Sequence, residues 1–266
     1  MIIYKSTAEL EAMRQSSRIV AQVLDELEPL VRPGLRTRDL DLYAEKRTRE
    51  LGAVPAFKGY RGYPASVCVS VNEEIIHGIP SGRLLQEGDI VSLDFGVLYE
   101  GFYSDSALTV PVGRTSDGAG RLIESAKKAF FKGFEQVREG NRLSDISAAV
   151  QRSVEGDGFS VIRQFVGHGI GRALHEDPQV PNFGVPGRGP KLKPGMTLAI
   201  EPMIALGSYE VEVLEDGWTA VTRDRSLSAH YEHTVALTED GPEILSARAR
   251  DAVAGRSPVI KESPHA

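Results

Sequence analysis

The sequence predicts an α+β fold in which one unit of helices followed by strands occurs twice, its helices packed on one side of a curved antiparallel sheet. Three observations carry this. Val31-Arg32-Pro33-Gly34-Leu35-Arg36-Thr37-Arg38-Asp39-Leu40 matches Val137-Arg138-Glu139-Gly140-Asn141-Arg142-Leu143-Ser144-Asp145-Ile146 at V-R-x-G-x-R-x-x-D and a closing aliphatic, an offset of 106. Leu85-Gln86-Glu87-Gly88 matches Leu192-Lys193-Pro194-Gly195, and five residues beyond each glycine stand Leu93-Asp94 and Ile200-Glu201, an offset of 107. Residues 90–109, IVSLDFGVLYEGFYSDSALT, read as two β-rich alternating segments about a tight turn. Two matches at nearly one offset indicate a duplication; a solenoid needs at least three shorter repeats.

The elements follow in order. Ser6 or Thr7 caps a helix starting at Ala8-Glu9, and Met13, Val20, Val23, Leu24 and Leu27 continue its apolar stripe until Pro29 and Pro33-Gly34. A second helix spans 37–51, stopped by Gly52, and residues 66–71 form a strand ending in a turn at Asn72. The second half repeats this plan. The final stretch, ARARDAVAGRSPVIKESPHA, lacks sustained periodicity and reads as a last helical turn followed by a flexible tail.

A chain of 266 residues has material for a large core, as one large domain or two small ones. Its net charge of −6 argues against bulk attraction to nucleic acid or anionic membrane. The single cysteine, Cys68, excludes an intramolecular disulfide and suits a reducing compartment. No apolar run approaches a bilayer span, so a cytoplasmic enzyme is expected.

The chemistry centres on residues 90–109. With Tyr99 and Glu100 at the tip, Asp94 lies directly opposite Asp105, where like charges are destabilising unless a cation lies between them; the alternative is a solvated polar face. The repeat tips this balance, because it brings Glu201 to Asp94 near a pseudo-two-fold axis, in segments whose neighbours Leu93, Phe95 and Ile200 look buried. His168, set among glycines in Gly167-His168-Gly169-Ile170-Gly171, is either an exposed loop residue or an imidazole presented where the backbone bulges. Alternation in SAHYEHTVAL puts His230, Glu232 and Thr234 on one face and Tyr231, His233 and Val235 on the other, without the H-E-x-x-H of a zincin.

Together VNEEIIHGIP, SLDFGV with YSDSA eleven residues on, FVGHGIGRALHEDPQVPNFG, LAIEPM and SAHYEHTVALTEDG resemble, in this order, type I methionyl aminopeptidase of the bacterial short form, over residues 1–246. The resemblance implies the pita-bread fold: a single catalytic domain over 1–248, an internal repeat about 16–110 and 122–237, and a tail over 249–266. It implies two divalent metal ions, Co, Mn, Fe or Zn, held by Asp94, Asp105, His168, Glu201 and Glu232, oxygen-rich donors that suit such ions. A water bridging the two metals would attack the scissile carbonyl. By resemblance Glu201 shuttles its proton, His175 stabilises the oxyanion, His77 contacts the leaving amide nitrogen, and Tyr60, Tyr63, Cys68, His77 and Trp218 wall the methionine pocket.

The implied substrate is the N-terminal methionine of nascent polypeptides with a small second residue, handled by a monomer. The basic stretch Arg121, Lys127, Lys128 and Lys132 reads first as a solvated helix face and second as a transient ribosome contact. Three positions depart from the usual pattern: Phe95-Gly96-Val97 for Val-Thr-Val, Phe57 for a cysteine, and Leu174 for a phenylalanine. A prolidase-like peptidase of the same fold is the rival enzyme, and a metal-free binding module is the rival from another class.

Overall fold

The computed structural model describes residues 1–251; the tail expected from 249 onward therefore lies, beyond Asp251, outside the described residues, and 249–251 form a 3-10 turn with Asp251 buried. Helix α1 (Thr7–Leu27) starts at the predicted cap: Ser6 Oγ accepts from the Glu9 amide at 3.3 Å while the Glu9 carboxylate accepts from the Ser6 amide at 2.9 Å. Helix α2 (Thr37–Glu50) ends before Gly52, and α3 (Asp117–Phe134) and α4 (Leu143–Gly156) open the second half. The strand predicted over 66–71 is shorter, Cys68–Val71, because the Ser66 and Val67 amides are taken by the Asp41 carboxylate of α2.

The two copies of the repeat make the same backbone bonds. Gly34 N–H donates to Leu85 O at 2.8 Å and Gly140 N–H to Leu192 O at 3.2 Å; Thr37 N–H reaches Arg83 O and Leu143 N–H reaches Pro190 O, both at 3.0 Å. Each V-R-x-G turn thus clasps the segment that leads into a strand of the shared sheet, Ile90–Tyr99 in the first copy and Thr197–Ile200 in the second.

That sheet is antiparallel at every described pairing. Its order runs Val54–Pro55, Ile90–Tyr99, Phe102–Pro111, Glu232–Thr238, Thr197–Ile200, Gly167–Gly169, Glu176–Val180, with Cys68–Val71 also on Ile90–Tyr99 and Gly241–Ile244 on Glu232–Thr238. Two three-stranded sheets flank it. One face of the main sheet meets the helices: Leu93, Phe95, Leu198, Ile200 and Val235 pack with Val20, Leu24, Leu27, Leu122, Phe130, Ile146 and Val150 in one core. Each fully buried Leu, Ile, Val or Phe contributes roughly 1.5–3 kcal/mol, enough in sum to hold the opposite face in a shape that its own charges oppose. Among the described residues no helix is long and apolar enough to cross a membrane.

Candidate metal centre

The hairpin that carries the two aspartates turns one residue later than predicted. Tyr99 pairs with Phe102, leaving Glu100 and Gly101 at the tip with φ of +48° and +82°, the both-positive geometry that a two-residue type I′ turn requires and that glycine at the second position makes easy. Asp94 therefore pairs with Ala107 and Asp105 with Gly96, so the carboxylates are diagonal neighbours and not directly opposite. The slip is by two in pairing, an even number, and so both still point to one face.

Register brings the other candidates to that face. Cys68, Asp94, Ala107 and Glu232 form one row across four strands. Thr234 pairs with Ala199, which pairs in turn with His168, and Glu201 lies two residues beyond Ala199. The ladder between the two halves gives out at Asp105, where Thr234 replaces it with its side chain: its hydroxyl accepts from the Asp105 amide at 3.0 Å and donates to the Asp105 carbonyl at 2.8 Å. That anchoring role was missed in the sequence, where a threonine in a β-prone run carries no signal.

His168 is buried in the Gly167–Gly169 strand, which excludes the exposed-loop alternative. A Cβ at Gly167 would fall 2.3 Å from Ala199 O and one at Gly169 2.1 Å from Asp177 O, and the register shifts between His168 and Gly169. The His168 Nδ1 lies 2.9 Å from Gly169 O; a carbonyl only accepts, so the proton sits on Nδ1 and the Nε2 lone pair faces Glu201 Oε1, 3.5 Å away. Burial pushes the His168 pKa down to about 3, so this lone pair is free at neutral pH.

The carboxylates are pushed the other way. Burial, then the charges of Asp105 and Glu201, raises Asp94 well above the usual range; burial and Asp105 do the same to Glu201; burial and all three neighbours raise Glu232. Asp105 is raised by burial to about 7. Asp94 Oδ1, Asp105 Oδ1 and Glu232 Oε1 are buried with no hydrogen-bond partner, and ligand atoms of Asp105, His168 and Glu232 all lie within 4.8 Å of one another. Buried charges of one sign need a counter-charge, and neutral imidazole with carboxylate oxygens is a donor set for divalent cations. The residues present fit a metal.

A cavity of about 180 Å³ opens over this cluster, lined by all eleven predicted residues: the five acid and imidazole donors, His77, His175, Tyr60, Tyr63, Cys68 and Trp218. It is smaller than the roughly 300–1,000 Å³ of sites for drug-sized ligands. His175 stands at its mouth, Nδ1 2.9 Å from the Tyr60 hydroxyl and its ring 4.2 Å from that of His168; partial burial and then the Arg61 charge lower its pKa to about 4. His77 holds φ +62°, a left-handed conformation unusual for a side chain that is not glycine, and sets its ring edge-on to Phe165 and Trp218. Tyr63 donates to Gly78 O at 2.9 Å and the Val69 amide donates to the same oxygen at 2.9 Å, so the residue after His77 is clamped. Arg61, Ile76, Phe165 and Val166 also line the cavity and went unrecognised, since they reach it from loops and from a neighbouring sheet.

Two of the departures from the usual pattern are one packing change. A Cβ at Gly96 would sit 3.0 Å from Phe57 Cε1, 3.1 Å from Ser104 O and 3.3 Å from Ala56 Cβ, so the glycine makes room for the Phe57 ring in the cavity wall. Gly96→Thr is expected to destabilise the protein by about 1–3 kcal/mol through overpacking, and adding Phe57→Cys should recover part of the lost melting temperature. A double variant that melts no higher than the single one would show that the two positions are independent. His233 bonds Ser246 and Tyr231 on the helix side, and His230 is buried with its Nε2 3.9 Å from Glu232 Oε2, beside the cluster.

The sequence profile of metallopeptidase family M24 matches residues 11–239. The chain is 55% identical over 246 residues to the methionine aminopeptidase of Clostridium perfringens, covering 92% of this chain and 99% of that one. The crystal structure of methionine aminopeptidase from Thermotoga maritima superposes with a TM-score of 0.92 at 46% identity, covering 93% of this chain and all of that one. Prolidase from Pyrococcus furiosus, 22% identical, shares the fold with a TM-score of 0.76, but this chain covers only 65% of it. The fold is the pita-bread fold, and the chain belongs to metallopeptidase family M24, with the relatives named methionine aminopeptidase.

Proposed function

We propose that this chain removes the N-terminal methionine from nascent polypeptides, with a preference for a small second residue. The observation that carries the reading is the convergence of four buried carboxylates and one neutral imidazole on the floor of a side-chain-sized cavity whose walls are apolar and aromatic. Asp94, Asp105, His168, Glu201 and Glu232 would hold two divalent ions, Mn, Fe, Co or Zn; ligand atoms of Asp105, His168 and Glu232 lie within 4.8 Å of one another, and Glu201 Oε1 lies 3.5 Å from His168 Nε2. Such ions, when bound, lower the pKa of water and polarise a carbonyl.

The chain's own residues do the rest. Glu201, buried beside His168 Nε2, is placed to take a proton from the attacking water and return it to the leaving amine. His175, accessible at the cavity mouth and oriented by Tyr60, is placed to donate to the oxyanion that develops at the scissile carbonyl. His77, fixed by its strained backbone and the Gly78 clamp, faces the leaving peptide. Tyr63, Cys68 and Trp218, with Phe57 and Leu174, supply the narrow apolar wall for the methionine side chain, where one methylene is worth about 1–3 kcal/mol. Cys68 serves there as a small polarizable surface; burial raises its thiol pKa and argues against a nucleophile.

The working partner in this reading is a free N-terminus in the cytoplasm, met by a monomeric enzyme. A ribosome contact through α3 is secondary: Lys128 bonds Asp157 at 2.7 Å, Lys132 bonds Glu135 at 3.1 Å, and Lys127 lies over the Tyr231 ring, so the basic face is partly neutralised within the chain. The test is hydrolysis of Met-Gly-Ser against X-Pro peptides by metal-loaded enzyme. Release of methionine from the first at a rate well above any cleavage of the second is expected. The reverse order would replace this proposal with a proline-directed peptidase.

A further inference from the structure

We infer that Lys5 is a positioning residue for this site: its buried ion pair with Glu176 sets the turn that carries His175, so the segment ahead of α1 determines where that imidazole stands. The inference rests on the role given above to His175. Lys5 Nζ bonds Glu176 Oε2 with the two side chains only 3% and 5% exposed, and lysine is almost never so buried unless paired. The pair is built into the fold at both ends. Lys5 N–H donates to Gly195 O at 2.7 Å, on the turn entering the Thr197–Ile200 strand, and Lys5 Nζ also reaches Ile3 O at 3.2 Å.

On the other side, the second oxygen of Glu176 accepts from the Ala173 amide at 3.2 Å, bracing the turn from within. Gly171 O accepts from the Tyr103 amide at 2.7 Å, which ties the turn to the strand bearing Asp105. Two glycines leave room for the lysine. A Cβ at Gly171 would meet Lys5 Cε at 2.4 Å and Nζ at 2.8 Å, and a Cβ at Gly195 would meet Lys5 O at 2.9 Å. His175 itself is accessible; its ring stacks on Tyr60 at 5.3 Å and bonds the Tyr60 hydroxyl, which sets the tilt of the imidazole. Where that ring stands over the cavity depends also on the backbone on which it rides, and Glu176 is the next residue of that backbone.

The experiment compares Lys5→Met, Glu176→Gln and the double variant, all metal-loaded, by turnover of Met-Gly-Ser, bound metal, thermal melting and the imidazole NMR resonances of His175. Lys5→Met keeps the apolar stem and leaves the Glu176 charge uncompensated. It should lower kcat roughly 10- to 100-fold, as misplacing a reacting group by an ångström does, with KM within about twofold and metal content unchanged, and it should shift the His175 resonances. The double variant removes both charges and should regain melting temperature but not kcat, because the bond that sets the turn is still missing. Unchanged kcat and unmoved His175 resonances, with only a lower melting temperature, would overturn the inference, since a merely structural pair would do just that. Should Lys5→Met fail to fold, Glu176→Gln, which keeps an acceptor for Nζ, carries the same expectation. His175→Ala separates the two claims: normal turnover by that variant would remove the oxyanion role, while the resonances in Lys5→Met would still decide the positioning.

Discussion

Asp105→Ala is expected to reduce metal-dependent release of methionine by well over 100-fold, beyond the 10- to 100-fold typical of residues that only support metal ligands, and to lower the metal bound per chain. Asp105 is the charge that every other carboxylate of the cluster feels, and its oxygen lies within 4.8 Å of ligand atoms from His168 and Glu232. Its removal should also do what loss of a structural residue would not. Without metal, the buried Asp105 raises the pKa of its neighbours and opposes folding, so the metal-free variant should melt at a higher temperature than the metal-free parent. Near-normal turnover by Asp105→Ala would end the reading of this cluster as the catalytic metal centre, and a lower metal-free melting temperature would end the account of its repulsion.

Metal removal should make stability fall as pH rises above about 7.5. In the unfolded chain the carboxylates lose their protons near pH 4, whereas in the folded, metal-free protein Asp105 keeps its proton until about pH 7 and Asp94, Glu201 and Glu232 are also raised. Wherever the folded state binds more protons than the unfolded one, stability falls with increasing pH. The histidines act in the opposite sense. His77 and His175 are lowered to about 4 and His168 and His230 to about 3, so they favour folding as pH rises through the unfolded histidine value of about 6.5 and fall silent only above about 7.5.

The clean window therefore opens at about pH 7.5, where the raised Asp94, Glu201 and Glu232 carry the effect. There each extra proton held is worth about 1.4 kcal/mol per pH unit, or roughly 2–4 °C per kcal/mol in domains of 150–250 residues. Melting of chelator-treated protein should drop by several degrees across this window. Protein reloaded with divalent metal should not follow, because bound cations replace the protons, and loading should release protons into a weakly buffered solution. Parallel pH profiles for the two forms would contradict the account.

Much of the site was legible because it is written in short-range patterns. The capping box at Ser6, the paired V-R-x-G turns and the period-2 alternation around Asp94, Asp105 and Glu232 each depend on neighbours a few residues away. Since a strand residue's face is decided by parity alone, the shared face of the two aspartates survived an error in the turn. The duplication named Glu201 as the partner of Asp94 before any contact was visible. His168 and the roles of His175 and His77 came from the family resemblance, because nothing in a glycine-flanked histidine says whether it is buried.

What the sequence by itself determined is the doubled α+β plan, the hairpin and the acidic residues at equivalent positions in the two halves. The tertiary structure decided the diagonal placement of Asp94 and Asp105, the Thr234 hydroxyl that holds the two halves together at Asp105, the fit of Phe57 over Gly96, and the Lys5–Glu176 pair behind His175. The physical reason is separation along the chain. Periodicity and capping are local and repeat within a few residues, but Lys5 meets Glu176 across 171 positions and Asp105 meets Thr234 across 129, and such contacts exist only once packing of the core has fixed how the two copies face each other.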